Sequence, residues 1–346
     1  MKKACVIVAT VAGGTLLAKA LASRVGKTDF AKRIAAMPDT APPTIRTDSW
    51  IVSGSALERP SIASKRVYPA AMVRPSHAEI LALLPAEREA LIALLRDLSP
   101  GEWAMETACL GWSVHDIAAH VLGDDLGLVS AWRDGYRPGL AAPSTWAGLV
   151  GFVNDRNEAW VAAWRRASPR LLLEALEWSG PILWVHFGDL DPEKLGSPIS
   201  WAGDAPASNL LRVAREYTER WVHQQQIRDA VRRPGLREAR WVKPLLDTFS
   251  HALPVALAST EAPAATRVSL VATGEGGGRW DVVRRSDRWA LDDVPGLSAA
   301  SLTMDVETLW RLYTRQVDRA TAEKRARVDG DAAIAQRLLD VVAIIA

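Results

Sequence analysis

The stretch EYTERWVHQQQIRDA, Glu216 to Ala230, sets a carboxylate, Glu219, four residues ahead of an imidazole, His223. In a helix of ~100° per residue, side chains at that spacing leave the same face and can reach one ion. On the same wheel Leu210, Ala214, Tyr217 and Trp221 form an apolar stripe roughly opposite the pair. Two readings of the pair are therefore open: a solvated face carrying a Glu–His contact, or two of the ligands of a metal. A third donor bears on the choice. His120, in GWSVHDIAAHVLGDD, falls about 60° from Ile117 on its own wheel, at the flank of an apolar stripe that borders a bundle interior. A catalytic zinc site takes three protein ligands and keeps one position open, and imidazole and carboxylate are suitable donors. Asp124, one turn after His120, could orient that imidazole. His115 points about 140° away from His120 and reads as a surface residue of the first turn. His77, His186 and His251 have no partner at helical spacing and read as structural.

The elements that would carry these residues are helices. His77 to Leu98 has apolar residues at helical spacing, with Pro85 marking a kink or a first turn. Ser113 and Asp116 make a variant capping box, so a helix should start near Val114, with Val114, Ile117, Ala118, Val121 and Leu128 as its stripe. Trp146 to Arg166 reads as another helix, and Ser168-Pro169 restarts one that runs towards Trp184. A further long helix lies between Pro206 and Pro234-Gly235 and holds Glu219 and His223. Four to five long helices with modest connections argue for a helix bundle.

Size and composition narrow the function. The chain has 346 residues, enough for one large or two ordinary domains, and 49% hydrophobic residues allow a sizeable core. A formal charge of +2 provides no broad basic surface, which argues against nucleic acid as a partner. The two cysteines, Cys5 and Cys109, lie in unrelated contexts, which excludes a disulfide framework and suits a reducing compartment. Fifteen tryptophans are dispersed from Trp50 to Trp310 and read as core filler.

The first 71 residues are a separate matter. Two lysines, an apolar run from Ala4 to Ala18 and small residues at Ala20 and Ala22 have the grammar of a secretory signal. The run is shorter than the ~20 residues a membrane span needs, so no membrane segment is expected. The competing reading starts the protein at Met72, with the upstream residues untranslated; the expected location is then cytoplasmic, and export is the alternative. GKT at Gly26 to Thr28 is no phosphate loop, because Leu21 stands where the pattern needs glycine. Met37 to Pro75 is rich in Pro, Ser and Thr and reads as linker.

TACLGWSVHDIAAHVLGDD followed by REYTERWVHQQQIRDA resembles the mycothiol-dependent maleylpyruvate isomerase family, within the DinB-like superfamily of metal-binding four-helix bundles. The resemblance runs from about Ser76 to the C-terminus and implies His120, Glu219 and His223 as ligands of a divalent metal, zinc first, with Asp124 behind them. It implies mycothiol, a low-molecular-weight thiol, as the second cofactor, and a small electrophilic molecule as substrate. The expected fold is α+β: residues 1–75 leader or linker, 76–236 the bundle, 237–263 a connecting helix, and 264–346 a small domain resembling the sterol-carrier-like unit of that family. TRVSLVATGEGGGRWDVV supports the last point, alternating β-rich runs around a glycine turn at Gly274 to Gly278. A strand and then a helix from Asp305 should follow, and another helix should close the chain over Arg327 to Ala346.

A cation with an open site lowers the pKa of a bound thiol or water. A thiolate made that way could add to an activated double bond and leave after rotation, an isomerisation, or stay attached, a transfer. Cys109, just ahead of a helix, reads as packing rather than as a nucleophile. A dicarboxylate substrate would want arginines, and Arg311 and Arg315, on the exposed face of the helix after Asp305, are the candidates beside a plain solvated face. A metal-dependent hydrolase and a non-enzymatic binding protein are the alternative functions.

Overall fold

The computed structural model describes residues 75–137, 145–294 and 296–343, with Trp146 by its main chain alone. The leader-like segment and the alternative start at Met72 lie outside the described residues. Helix α1 spans His77–Arg96, α2 Pro100–Trp103, α3 Val114–Leu128, α4 Trp146–Trp164, α5 Pro169–Gly188, α6 Asn209–Ala230, α7 Ala239–Phe249 and α8 Leu253–Ala256. A π-helical turn over Val129–Arg133 extends α3. Strands β1 Arg267–Thr273, β2 Gly278–Arg284, β3 Trp289–Asp292 and β4 Ala300–Asp305 follow, then α9 Val306–Tyr313, α10 Arg319–Arg325, β5 Arg327–Gly330 and α11 Ala332–Ala335. This is an α+β architecture.

Local sequence explains where the helices begin. Ser76 with Glu79 and Ser113 with Asp116 form reciprocal capping boxes on α1 and α3, and Ser168 and Ser208 cap α5 and α6. Pro85 ends nothing: α1 runs through it, at the cost of one i→i−4 hydrogen bond to the Leu81 carbonyl.

The bundle is α1, α3, α5 and α6, with α4 laid against α3. That contact depends on Gly123, where an added Cβ would lie 2.5 Å from Trp160 Nε1, and on the Trp160 Nε1–H bond to the Ala119 carbonyl at 2.8 Å. Helix α6 carries the site and is enclosed on every side, with buried residues around its whole circumference. Of the two readings of the pair, the solvated face is not what the structure has: Glu219 and His223, each 8% exposed, are buried although they lie across the helix from Tyr217 and Trp221. Helices α1 and α7 cover one side, α3 covers another, and Trp310 of α9 meets Trp221 edge-on at 5.2 Å.

The sheet has strand order β3-β2-β1-β4-β5, antiparallel except for the β1–β4 pair. Between β1 and β2, Gly274 (φ +104°) and Gly276 (φ +75°) make the hairpin turn, as the glycine run suggests. One core joins sheet and bundle: Leu270, Trp280, Leu302 and Trp310 belong to the same buried cluster as Ile80, Tyr217 and Trp221. Two polar ties reinforce it. Tyr217 OH donates to the Trp241 carbonyl at 2.7 Å, and Trp280 Nε1 donates to Asp247 at 2.8 Å.

The end of the chain departs from the expected closing helix. Arg327–Gly330 is an edge strand pairing with β4, Gly330 (φ +78°) breaks it, and Asp331 caps a helix of one turn that passes into a 3-10 turn. Among the described residues no helix is long and apolar enough to cross a membrane.

Candidate functional site

His120 and Asp124 on α3, Arg215, Glu219, His223 and Gln226 on α6, and Arg311 and Arg315 at the end of α9 all line one cavity of about 880 Å³. Cys109 and Trp112, from the loop ahead of α3, and Asn154, Asn157 and Glu158 of α4 complete its walls. The cavity thus opens between two turns of the bundle and the C-terminal end of α9. Arg311 draws α9 onto α6: its Nη2 donates to Asp229 at 2.6 Å and its Nε to Glu307 at 2.7 Å.

The two imidazoles face each other across the floor, edge to face, with ring centroids 4.7 Å apart. Burial, together with the neighbouring His223, pushes the His120 pKa down to about 3, so its ring is neutral and has free lone-pair electrons to offer. Burial opposes a proton on His223 as well. The Cys109 sulfur, the Glu219 carboxylate and the Gln226 side chain outweigh it and raise that pKa to about 9. The pair therefore carries one positive charge near neutral pH, on His223. Gln226 Oε1 sits 2.8 Å from His223 Nδ1, and the Cys109 thiol lies 3.3 Å from the same oxygen. That contact fixes the ring and leaves Nε2 as its free donor.

Glu219 points along the same wall but is engaged: Arg215 Nη2 donates to its Oε1 at 3.1 Å. His120 Nε2 and Asp124 Oδ2 are 3.5 Å apart, too long for a strong hydrogen bond, and with the ring neutral the contact is not an ion pair. Among the described residues no three His, Cys, Asp or Glu side chains are already gathered as a cage. The donor types suit a divalent cation, two of the three donors adjoin, and the third is held one turn back by an arginine.

Several expectations need correction. His115 is no free surface residue; its Nε2 lies 2.9 Å from the Ala167 carbonyl oxygen, against Trp103. Arg311 is not on an exposed face: it is largely buried and already answered by Asp229 and Glu307. Arg315 has left the helix, in a left-handed conformation (φ +57°) just past the α9 end, where it reaches the cavity with no ion-pair partner among the described residues. Cys109 is more than filler, because its thiol lines the cavity beside the Gln226–His223 contact.

Arg215, Gln226 and Trp112 are site residues that the sequence reading does not name. Arg215 stands four residues before Glu219 and Gln226 three after His223, so the same wheel that pairs Glu219 with His223 could have found both. Trp112, 5.1 Å from the His120 ring, and Cys109 enter only through the turn ahead of α3, which no periodicity reveals.

Behind the cavity wall lies a ladder of buried charge. Asp125 accepts from Arg88 at 2.8 Å and from Arg220 at 2.7 Å; Arg220 also meets Glu216 at 3.1 Å, and Glu216 accepts from Arg215 at 2.9 Å. Arg215 is the last rung and the one that opens on the cavity.

Comparison with known proteins adds the family. Two similar solved structures are a mycothiol-dependent maleylpyruvate isomerase (13% identity, TM-score 0.45) and a mutant of that enzyme (12%, TM-score 0.45). Each alignment covers 68% of this chain and 88% of the other. No curated protein sequence matches. Residues 84–228 match the model of the mycothiol maleylpyruvate isomerase N-terminal domain, from the middle of α1 to the end of α6. The helical bundle of this chain is a member of the mycothiol maleylpyruvate isomerase N-terminal domain family.

Proposed function

We propose that the protein is an enzyme, a thiol-dependent isomerase of a small electrophilic acid. It works with a low-molecular-weight thiol of the mycothiol type and a divalent cation, zinc first, held by His120, Glu219 and His223. The observation that carries this reading is the convergence, in a bundle of that family, of two facing imidazoles and a carboxylate on one cavity that Arg315 also lines. When bound, the cation would keep the thiol ionised, and the thiolate supplies reversible addition to an activated double bond.

The chain's own residues do the rest. His120 offers a neutral ring at once, whereas His223 must first lose the proton that Cys109, Glu219 and Gln226 favour, so cation uptake should release a proton. Gln226 keeps the His223 ring from turning, and Asp124 stands where it can steer His120. Arg315 is the better anchor for a substrate carboxylate, since Arg311 is spent on Asp229 and Glu307 and serves to hold α9 against α6. Trp112, tied by its Nε1–H to Glu158 at 2.8 Å, closes the side next to His120 and limits water there.

Retention of the thiol on the substrate, a transferase outcome, uses the same site and differs only in the substrate's leaving step. The test is turnover of cis-unsaturated dicarboxylic acids by purified protein of measured metal content, with and without mycothiol. Isomerisation requiring both metal and thiol is the expected result. Cleavage products formed by water with metal alone would make the protein a hydrolase, isomerisation with metal alone would remove the thiol from the reading, and no turnover in any combination would leave a binding protein.

A further inference from the structure

Resting on that reading, we propose that Arg215 is a latch on Glu219 and, once the carboxylate is given over to a cation, an anchor for an anionic ligand in the same cavity. Arg215 divides its guanidinium between two carboxylates, Nη1 to Glu216 Oε1 at 2.9 Å and Nη2 to Glu219 Oε1 at 3.1 Å. The two ties are unequal in what they can give up. Glu216 is 3% exposed at its side chain and belongs to the buried ladder, where Arg220 holds its other oxygen at 3.1 Å. Glu219 stands at the cavity, and Arg215 itself is 39% exposed there.

Without a cation, Glu219 is a nearly buried carboxylate that needs a positive partner, and Arg215 supplies it. With a cation on Glu219, the same guanidinium becomes a like charge beside it, and the Nη2 contact is the one that yields. Arg215 does not then stand unpaired, because Nη1 remains on Glu216. Its freed Nη2 edge is left to the cavity that Arg315 also lines, and a guanidinium fork is the group that matches a carboxylate. One residue would thus couple the filling of the cation site to the readiness of the anion site.

A residue that merely orients a metal ligand behaves in the opposite way: removing it typically weakens metal binding about 10- to 100-fold. The sign of the effect therefore decides. Zn²⁺ affinity of the full chain is measured by competition with a chromophoric chelator for wild type, Arg215→Gln and Arg215→Met, each checked for native circular dichroism. A competing, partly exposed ion pair is worth up to about a fivefold change in an equilibrium constant. Both variants should bind Zn²⁺ about two- to fivefold tighter than wild type. Unchanged or weaker binding overturns the latch. Succinate, an unreactive dicarboxylate, is then titrated calorimetrically into the Zn²⁺-loaded proteins; about tenfold weaker binding in the variants is expected, and equal binding overturns the anchor. Should the Gln and Met variants fail to fold, Arg215→Lys, which keeps the charge but loses the fork, should show the same signs at smaller size, and opposite signs refute the proposal. If wild type itself binds no Zn²⁺, the functional reading falls together with the latch; if wild type binds and the variants bind no tighter, the latch alone falls.

Discussion

Replacing Asp125 by asparagine should cost the protein a large part of its stability without changing the shape of the side chain. Asp125 is completely buried and accepts four hydrogen bonds: 2.8 and 3.2 Å from Arg88, 2.7 Å from Arg220 and 2.6 Å from Ser179. Burial works against its charge, yet Arg88 and Arg220 hold the carboxyl below the usual range. An amide in its place would keep the volume and lose the charge. The amide oxygen could still accept from one arginine, but its NH2 would turn a donor towards the other, and what remains besides is the Leu176 carbonyl for Arg88, Glu216 and its carbonyl for Arg220, and the face of Trp184 for both. Removing one partner of a buried ion pair costs about 3–5 kcal/mol, because the other charge stays behind in a poor solvent. Set against a total of ~5–15 kcal/mol, that is a third or more of the margin. The loss should appear as a lower urea midpoint, at unchanged slope, in tryptophan fluorescence, and as a fall in Tm on the order of 10 °C. Arg88→Met closes a double-mutant cycle, and the Asp125→Asn/Arg88→Met protein should be more stable than the sum of the single losses predicts, by ~1 kcal/mol or more. A loss below ~1 kcal/mol for Asp125→Asn would show that water or rearrangement relieves the arginines, and the ladder would not be the rigid support described above.

Two further outcomes can be checked with the same methods. Gln226→Ala should weaken Zn²⁺ binding about 10- to 100-fold by freeing the His223 ring, while Cys109→Ser should stay within about threefold of wild type; chelator competition measures both, and equal effects would mean that the thiol does the orienting. His251 is a pH-dependent liability, since burial lowers its pKa to about 4 and Asp247 only partly offsets this. The unfolded chain takes up that proton near pH 6.5 and the folded chain not until about 4, so the stability is full above pH 6.5 and drains as pH falls between the two, by at most ~3 kcal/mol. His251→Phe should flatten the urea midpoint between pH 7 and 4.5, and an unchanged slope would refute the assignment.

What could be read from the sequence was what repeats along one helix. Ser113 and Asp116 fixed the start of α3 because a cap is a contact between neighbours, and the glycines at 274–278 marked the β1–β2 turn because a positive φ selects them. The placement of Glu219 and His223 on one face followed from spacing alone. What the wheel could not give was which face of α6 meets protein. A helix so rich in charged and amide side chains looks solvated on one side, yet α6 is buried all round. Many of its polar residues pair with one another or with distant ones: Arg220 with Asp125, and Gln224 with Glu87 at 2.7 Å. Those pairings join residues 95 and 137 positions apart, so no local pattern announces them. The Arg311 misreading has the same origin, since its partner Asp229 lies 82 positions away on α6.

The charge on α6 also explains why a cavity can exist beside it. A helix enclosed by apolar side chains would close on its neighbours, because small voids in a core are costly. Here α6 turns Arg215, Glu219, His223 and Gln226 to the cavity, and they are braced: Arg215 from behind by Glu216, which Arg220 and then Asp125 hold in turn, and His223 by its neighbour Gln226. Side chains so anchored cannot collapse into the space in front of them without leaving a charge unpaired at their backs. The ladder therefore does for the site what close packing does for the core: it fixes where the donors stand before any ligand arrives. It also gives Asp125 and Glu216, which are not among the residues lining the cavity, a stake in what binds there.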